Sequence, residues 1–468
     1  MKIGFLGGGS LRLLPIIRSC MADAPQNFNN GEIRLIDLHQ ERSDAVARLI
    51  QAAPEFATIN NCKVSAPESL EEGLKDLDVL YLTMAARREP TESLSLFHAM
   101  KHNYFSSDQL SVNGAFLSLR LGFTILNIAR KMEQLCPNAL MLIFPNPVAV
   151  YSHLVNTFTK IRALGICGGF NNHRYDLTKL CFGKNGCDFG WNVVAAGVNH
   201  LSFILRGDYK GKDLYSSIFP DRLNENWKNP VDSMNKDGLA EWQIYSLRMA
   251  MDCLYQSYRK YKTLIFSTEA DGLAHIFPTE TISFMKFRFG TGENYSPDGV
   301  AEKVAAAETE RYREFIMKSQ NPELIDWNHD NSFYGRADTD ITIPVLRAVG
   351  GIEPMRIVAS RPNNGAVKDF SSNASLEYTM DIYKDQFTPV ENQYIPSPFK
   401  GLITSLSEYQ TLLSEAIFRH DPHLFVMALE AYPVNQFSAS RKDFFKGMFD
   451  LYSDMDSVMF EARKAYGA

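Results

Sequence analysis

Cysteine is scarce and unpaired in this sequence. The seven residues (Cys20, Cys62, Cys136, Cys167, Cys181, Cys187 and Cys253) are odd in number, widely spaced and without a Cys-x-x-Cys pair. A disulfide framework and a four-thiolate zinc site are therefore both unsupported. Long basic runs are missing too, and the formal net charge is -6, which argues against a nucleic-acid surface. Apolar runs are short: "ALMLIFPNPVAVY" carries two prolines and falls below the length of a bilayer span. The opening "MKIGFLGGGSLRLLPIIRSC" is broken by Arg12 and Arg18 and by glycines where a turn would fall, unlike a signal peptide. A cytoplasmic protein is expected, with small-molecule rather than nucleic-acid or membrane partners.

What is present describes an ordinary globule, 45% hydrophobic and 22% charged. A chain of 468 residues exceeds what one core organises, so two closely fused domains are expected, 1–190 and 191–468. The first has a legible order. "KIGFL" reads as a strand, "GGGS" as a tight turn, "LRLLPIIRSCMA" as a helix with Pro15 near its first turn, and "IRLID" as a second strand ending in Asp37. Gly7, Gly8, Gly9 and Ser10 would let the backbone approach a pyrophosphate at a helix N-terminus, and Asp37 would accept the ribose hydroxyls of NAD while repelling the extra phosphate of NADP. The alternation continues through "LDVLYLTM", "AFLSLRLGFTILNIARKMEQLC", "ALMLIFPNP" and "TKIRALGIC". Near-continuous apolar strands between amphipathic helices predict a Rossmann-like α/β domain with a parallel sheet. Ligands of such sheets bind beyond the carboxyl ends of the strands, where Thr83, Arg87, Asn146 and Cys167 fall.

The segment "WNVVAAGVNHLSFILRGDY" (191–209) reads as a strand–turn–strand with His200 at its centre. Cys167 and His200 are too far apart for a finger or ribbon, so any shared metal site would assemble across the fold. The residues alone fit equally a buried thiol beside a hydrogen-bonded histidine. Asn146 and Asn199 each follow an apolar run and would either cap turns or bind a ligand; Asp108 is either a helix cap or a site residue. Tyr255 and Tyr258 share a helix face, which packing also explains. Residues 205–235 read as loop over a cleft, 239–262 and 299–318 as helices, 356–385 as strands of a second sheet, and the terminal "RHDPH" as a break between two helices.

These motifs support a comparison. "FLGGGS", "LIDL", "DQLSVNGAFLSLR", "FPNPVAVYS", "GICGGF", "GVNHLSF", "STEADGLAHIFP" and "HDPHLFVMALEAYP" together resemble glycoside hydrolase family 4, NAD- and divalent-metal-dependent glycosidases related in fold to lactate and malate dehydrogenases, and within it the α-galactosidase, α-glucosidase and galacturonase branch. The resemblance implies a Rossmann-like domain followed by an α+β catalytic and oligomerisation domain, in a homodimer or homotetramer. It implies that Cys167 and His200 hold manganese or a similar ion, that Asn146 touches both sugar and nicotinamide, and that Arg87 lies in the cofactor cleft. The implied reaction on an α-glycoside runs through transient oxidation at C3, proton loss at C2, elimination, water addition and re-reduction. Asp271 is the preferred base, with Tyr258 as the other candidate. Asp108 is the candidate donor to the leaving oxygen, and Asn199, Arg259 and His275 are candidate substrate contacts. The sequence departs from the family at Gly168, where Asp, Asn or His usually follows the cysteine, and in "LSVNGAF", which keeps only Gly114 of a glycine-rich stretch. A sugar or hydroxy-acid dehydrogenase and a non-turning-over sugar or NAD sensor are the alternatives.

Overall fold

The structure, a computed structural model, describes residues 1–85, 91–219, 226–267, 270–289, 300–328, 333–433, 440–452 and 457–467. Six strands form a parallel unit: β1 (Lys2–Leu6), β2 (Glu32–Ile36), β3 (Lys63–Ser65), β4 (Val79–Leu82), β5 (Leu140–Ile143) and β6 (Arg162–Gly165). Their spatial order is β3-β2-β1-β4-β5-β6, the doubly wound order in which β1 is the switch point and dinucleotides bind across its carboxyl end. The strands are short and apolar because both faces are covered; Val79–Leu82 and Leu140–Ile143 are buried throughout.

Seven further strands follow: β7 (Trp191–Val198), β8 (Leu201–Tyr209), β9 (Lys212–Asp213), β10 (Leu264–Phe266), β11 (Met355–Pro362), β12 (Ser375–Tyr383) and β13 (Gln386–Pro389). They do not build the separate second sheet expected for 356–385. β11 pairs antiparallel with β6 through Ser360 and Gly165, so the sheet runs on as β6-β11-β12-β7-β8-β10 and all thirteen strands among the described residues are one surface. Joining an existing edge satisfies the backbone groups that a second sheet would have left open.

The two halves are interlocked by helices as well. Helix Val148–Phe158 packs on β11 and on helix Lys400–Arg419, and helix Leu13–Asp23 packs on helix Thr342–Val349. Arg12 bonds Asp340 at 2.7 Å and Ser19 donates to Asp338 at 2.8 Å across the same seam. The one helix among the described residues long and apolar enough to cross a membrane, Val112–Leu135, is a core element, with 78% of its most apolar window buried inside the protein. The "RHDPH" break is local chemistry: His420 takes a left-handed φ of 54°, Asp421 accepts from His423 N–H at 2.8 Å, and Pro422 starts the next helix. None of the described residues among 205–235 lines the cavities described below. β8 extends to Tyr209, and Leu214, Ile218, Phe219, Val231 and Met234 pack into a second apolar cluster with Trp191 and Tyr255.

Candidate active site

The turn after β1 is tied down from within. Gly7 and Gly8 both donate to the Ile36 carbonyl, at 3.0 and 2.9 Å. Gly7 has φ +90°, and a Cβ there would stand 2.7 Å from the Met84 amide nitrogen, so only glycine fits where the turn meets the end of β4. Asp37 accepts from Gly9 N–H and His39 N–H, both at 2.9 Å, which fixes its carboxylate beside the glycine turn. Ser10 precedes the helix. Beyond β4 and β5, Thr83, Phe144, Asn146 and Arg12 line a cavity of about 300 Å³, with Arg12 stacked 4.1 Å over the Phe144 ring. Arg87 lies outside the described residues.

Asn146 donates to Asp108 Oδ1 at 2.9 Å. Asp108 borders both this recess and a larger cavity of about 760 Å³. It is thus the wall between the cofactor-type cleft and the main chamber. A third, small recess contains His200 and shares Asn172 and Ser267 with the main chamber.

β7 and β8 are joined by two residues, Asn199 and His200. His200 has φ +72°, a conformation favoured by glycine and held here at a cost of about 1–3 kcal/mol by what surrounds it. Its Nδ1 lies 3.0 Å from both oxygens of Asp271. Its Nε2 lies 3.6 Å from the sulfur of Cys167, two residues past β6. The peptide behind the pair is equally constrained: a Cβ on Gly272 would collide with the His200 carbonyl and stand 2.8 Å from Leu201 Cβ.

Asp271 is fully buried. Besides His200, it accepts from Ser107 Oγ at 2.7 Å, Leu110 N–H at 3.0 Å, Gly272 N–H at 2.9 Å and Ser267 Oγ at 3.3 Å. Burial opposes its charge, but His200 and these donors outweigh burial and hold its carboxyl below the usual range. Burial likewise opposes charge on His200, and Asp271 reverses that, raising the imidazole well above its ordinary value. Its two oxygens grip the His200 imidazole and hold it in place.

The remaining candidates divide. Tyr258 packs against Tyr215 and Phe219, with centroids 6.1 and 5.6 Å away, and lines none of these cavities. Arg259 is exposed and donates to Tyr255 at 3.3 Å. The amphipathic helix Glu241–Tyr261 puts both on faces away from the chamber. Asn199 is buried, donates to Glu377 and lines none of these three cavities. His275 is enclosed next to Tyr432, 3.4 Å from its hydroxyl, and burial lowers its pKa to about 4. It therefore sits neutral behind Asp271 rather than in the chamber.

Sequence reading missed Ser107, Ser267, Asn172 and Glu377. Ser107 adjoins Asp108 in "YFSSDQLS", and Glu377 shares β12 with a second carboxylate, Asp381, so nothing in the sequence set it apart. Glu377 is 2% exposed, accepts from Asn199 Nδ2 and Ser360 Oγ, and is raised by burial.

The donor set fits a divalent ion. A thiolate and an imidazole 3.6 Å apart are close enough for both to bind one ion, and Cys167 and His200 are the residues that would hold it. A carboxylate on the far imidazole nitrogen is the usual support for a histidine ligand. Among the described residues no third His, Cys, Asp or Glu joins the pair.

Comparison with known proteins agrees along the chain. Residues 2–181 match the sequence profile described as family 4 glycosyl hydrolase, and residues 195–434 match that of the family 4 glycosyl hydrolase C-terminal domain. An alpha-galacturonidase of Thermoanaerobacter italicus is 23% identical over 96% of each chain. A 6-phospho-beta-glucosidase of Escherichia coli is 21% identical over 93% of this chain and 91% of its own. Among solved structures, a 6-phospho-alpha-glucosidase from gut microorganisms, in complex with NAD and Mn2+, superposes with a TM-score of 0.75 at 17% identity, covering 97% of this chain and 98% of its own. The 6-phospho-beta glucosidase from Thermotoga maritima, with manganese, NAD+ and glucose-6-phosphate, gives 0.72 at 15%, covering 97% and 99%. With both halves matched and the fold shared from end to end, the chain belongs to the family 4 glycosyl hydrolases.

Proposed function

We propose that this chain is an NAD- and divalent-metal-dependent glycosidase acting on α-glycosides. The observation that carries the reading is the Cys167–His200 pair, 3.6 Å apart, with His200 in a recess that shares Asn172 and Ser267 with a chamber bordered by Asp108, which also borders the cleft beyond β4 and β5. Relatives named alpha-galacturonidase and alpha-galactosidase support the α assignment, and the NAD and Mn2+ complexes of structural neighbours support the cofactors. NAD would supply the hydride acceptor and donor for transient oxidation at C3 of the sugar, and the ion would supply Lewis acidity to the neighbouring oxygens.

The chain's residues have separate tasks. The Gly7–Ser10 turn and Asp37 seat the dinucleotide, with Thr83 and Asn146 bordering its nicotinamide end. Cys167 and His200 hold the ion, and Asp271 fixes the imidazole with Nδ1–H toward itself so that Nε2 faces outward. Asp108, oriented by Asn146 and open to the chamber, delivers a proton to the leaving oxygen. We assign Asp271 to positioning rather than to proton abstraction. A homo-oligomer in the cytoplasm is part of the same proposal.

The test is a panel of nitrophenyl α- and β-glycosides, uronides and 6-phosphoglycosides, assayed with NAD+ and Mn2+ under reducing conditions. Release of nitrophenol without net NADH, dependent on both cofactors and strongest for α-anomers, is expected. Steady NADH accumulation would make the chain a dehydrogenase instead, and binding without turnover would make it a sensor.

A further inference from the structure

Asn113 is the second residue of helix Val112–Leu135 and lines the main chamber. It belongs to "LSVNGAF", the stretch that keeps only Gly114 of the family's glycine-rich run. Its side chain is 3% exposed, and a buried amide needs partners at both ends. The carbonyl end has two: Oδ1 accepts from Ser95 Oγ at 2.9 Å and from Tyr452 Oη at 2.5 Å. The second distance lies within the range of an O–H···O bond and below that of N–H···O, which puts the oxygen rather than the nitrogen on this side. Ser95 comes from helix Thr91–Lys101, and Tyr452 from the end of helix Arg441–Leu451. Both are buried, and neither lines the chamber. With its oxygen held behind the wall, Asn113 turns its NH2 group inward, where it has no partner among the described residues.

The amide stands near the reaction centre. The start of the helix is pressed against the turn before it: a Cβ on Gly114 would lie 3.3 Å from the Asp108 carbonyl oxygen and closer still to that of Gln109. Asp108 itself borders the same chamber. Neighbouring polar groups of the wall are already engaged. Ser107 and Ser267 donate to Asp271, and Lys179 lies 3.2 Å from Asp176. An enclosed NH2 without an acceptor is a donor waiting for a ligand oxygen. Oxidation at C3 and an ion beside the neighbouring C2 oxygen occupy two positions of the sugar, so the oxygens left for this wall are those at C4 and C6.

We propose that Asn113 is a specificity-determining residue whose NH2 group donates to the C4 or C6 oxygen of the reacting sugar. This rests on the glycosidase reading above and adds to it the part of the sugar by which this chain selects.

The experiment uses the NAD- and Mn2+-loaded protein and sugars without a bond to hydrolyse. Calorimetry measures Kd for galactose, galacturonate and glucose 6-phosphate, and for the 4-deoxy and 6-deoxy forms of whichever binds most tightly. Asn113→Asp keeps an oxygen for Ser95 and Tyr452, and a carboxylate is favoured in the first turn of a helix, so the melting temperature should not fall. The donor is gone, so Kd for the parent sugar should rise about tenfold. Asn113→Ala removes the donor without adding charge and should show the same loss, while melting lower because two hydroxyls lose their acceptor. Against the deoxy sugar that lacks the contacted oxygen, the three proteins should agree within about twofold. Against the other deoxy sugar the tenfold gap should persist, which tells C4 from C6. A parent sugar bound within about twofold of the unaltered protein by either variant overturns the assignment, as does a gap that persists against both deoxy sugars. Sugar binding without hydrolysis of any glycoside in the panel above removes the glycosidase reading and leaves this comparison to decide Asn113 alone. An unaltered protein that binds none of the three sugars overturns it.

Discussion

Replacing Asp271 by asparagine separates holding a histidine from accepting a proton. The side chain keeps its shape, but one oxygen becomes an NH2 group. Whichever oxygen is replaced, the new donor faces a backbone N–H that cannot turn away: Leu110 on one side, Gly272 on the other. Leaving one such group unpaired costs about 1–3 kcal/mol, and the charge-assisted bond to His200 contributes about 1.5–3 kcal/mol. Relief from burying an ionised carboxylate offsets part of this, so a net loss of about 3 kcal/mol is expected, at the lower end for a broken buried pair. Urea denaturation of the metal-free protein measures it. The freed imidazole should also lower Mn2+ affinity by about 10–100-fold, readable from the EPR signal of free Mn2+. A variant with stability changed by less than about 0.5 kcal/mol and unaltered Mn2+ affinity, but without turnover, would refute this reasoning and return Asp271 to the role of base.

Three other outcomes follow from particular contacts. Cys167→Ser should weaken Mn2+ binding and turnover together, because a soft thiolate ligand is exchanged for a poorly ionised hydroxyl; full activity with unchanged metal retention would remove Cys167 from the site. Gly272→Ala should destabilise the protein by about 2–4 kcal/mol in a thermal or urea melt, since the added methyl meets the His200 carbonyl and the Leu201 side chain. Tyr258→Phe removes only a hydroxyl from a ring packed on Tyr215 and Phe219 and should change kcat by less than about twofold; a loss of about a hundredfold or more would place Tyr258 in the chemistry after all.

Local pattern was enough for the first half. β1, the Gly7–Ser10 turn, the following helix and β2 ending before Asp37 form where period and turn chemistry put them, because a strand, a tight turn and an amphipathic helix each express their own few residues. The hairpin at His200 was equally legible: apolar runs on either side of "NH" leave little else for those two residues to do.

What the sequence determined by itself is therefore five of the six parallel strands, the strand ends that carry Thr83, Asn146 and Cys167, and the residue types able to hold an ion. Only the tertiary structure decided that β11 extends the first sheet, that Tyr258 and Arg259 face away from the chamber, and that Asp271 stands behind His200. Those outcomes depend on partners far along the chain: Ser107 and Leu110 lie 164 and 161 residues from Asp271, and Glu377 lies 178 from Asn199. A carboxylate's identity says that it can accept protons or hydrogen bonds. Which of the two it does is set by how many donors the fold brings to it.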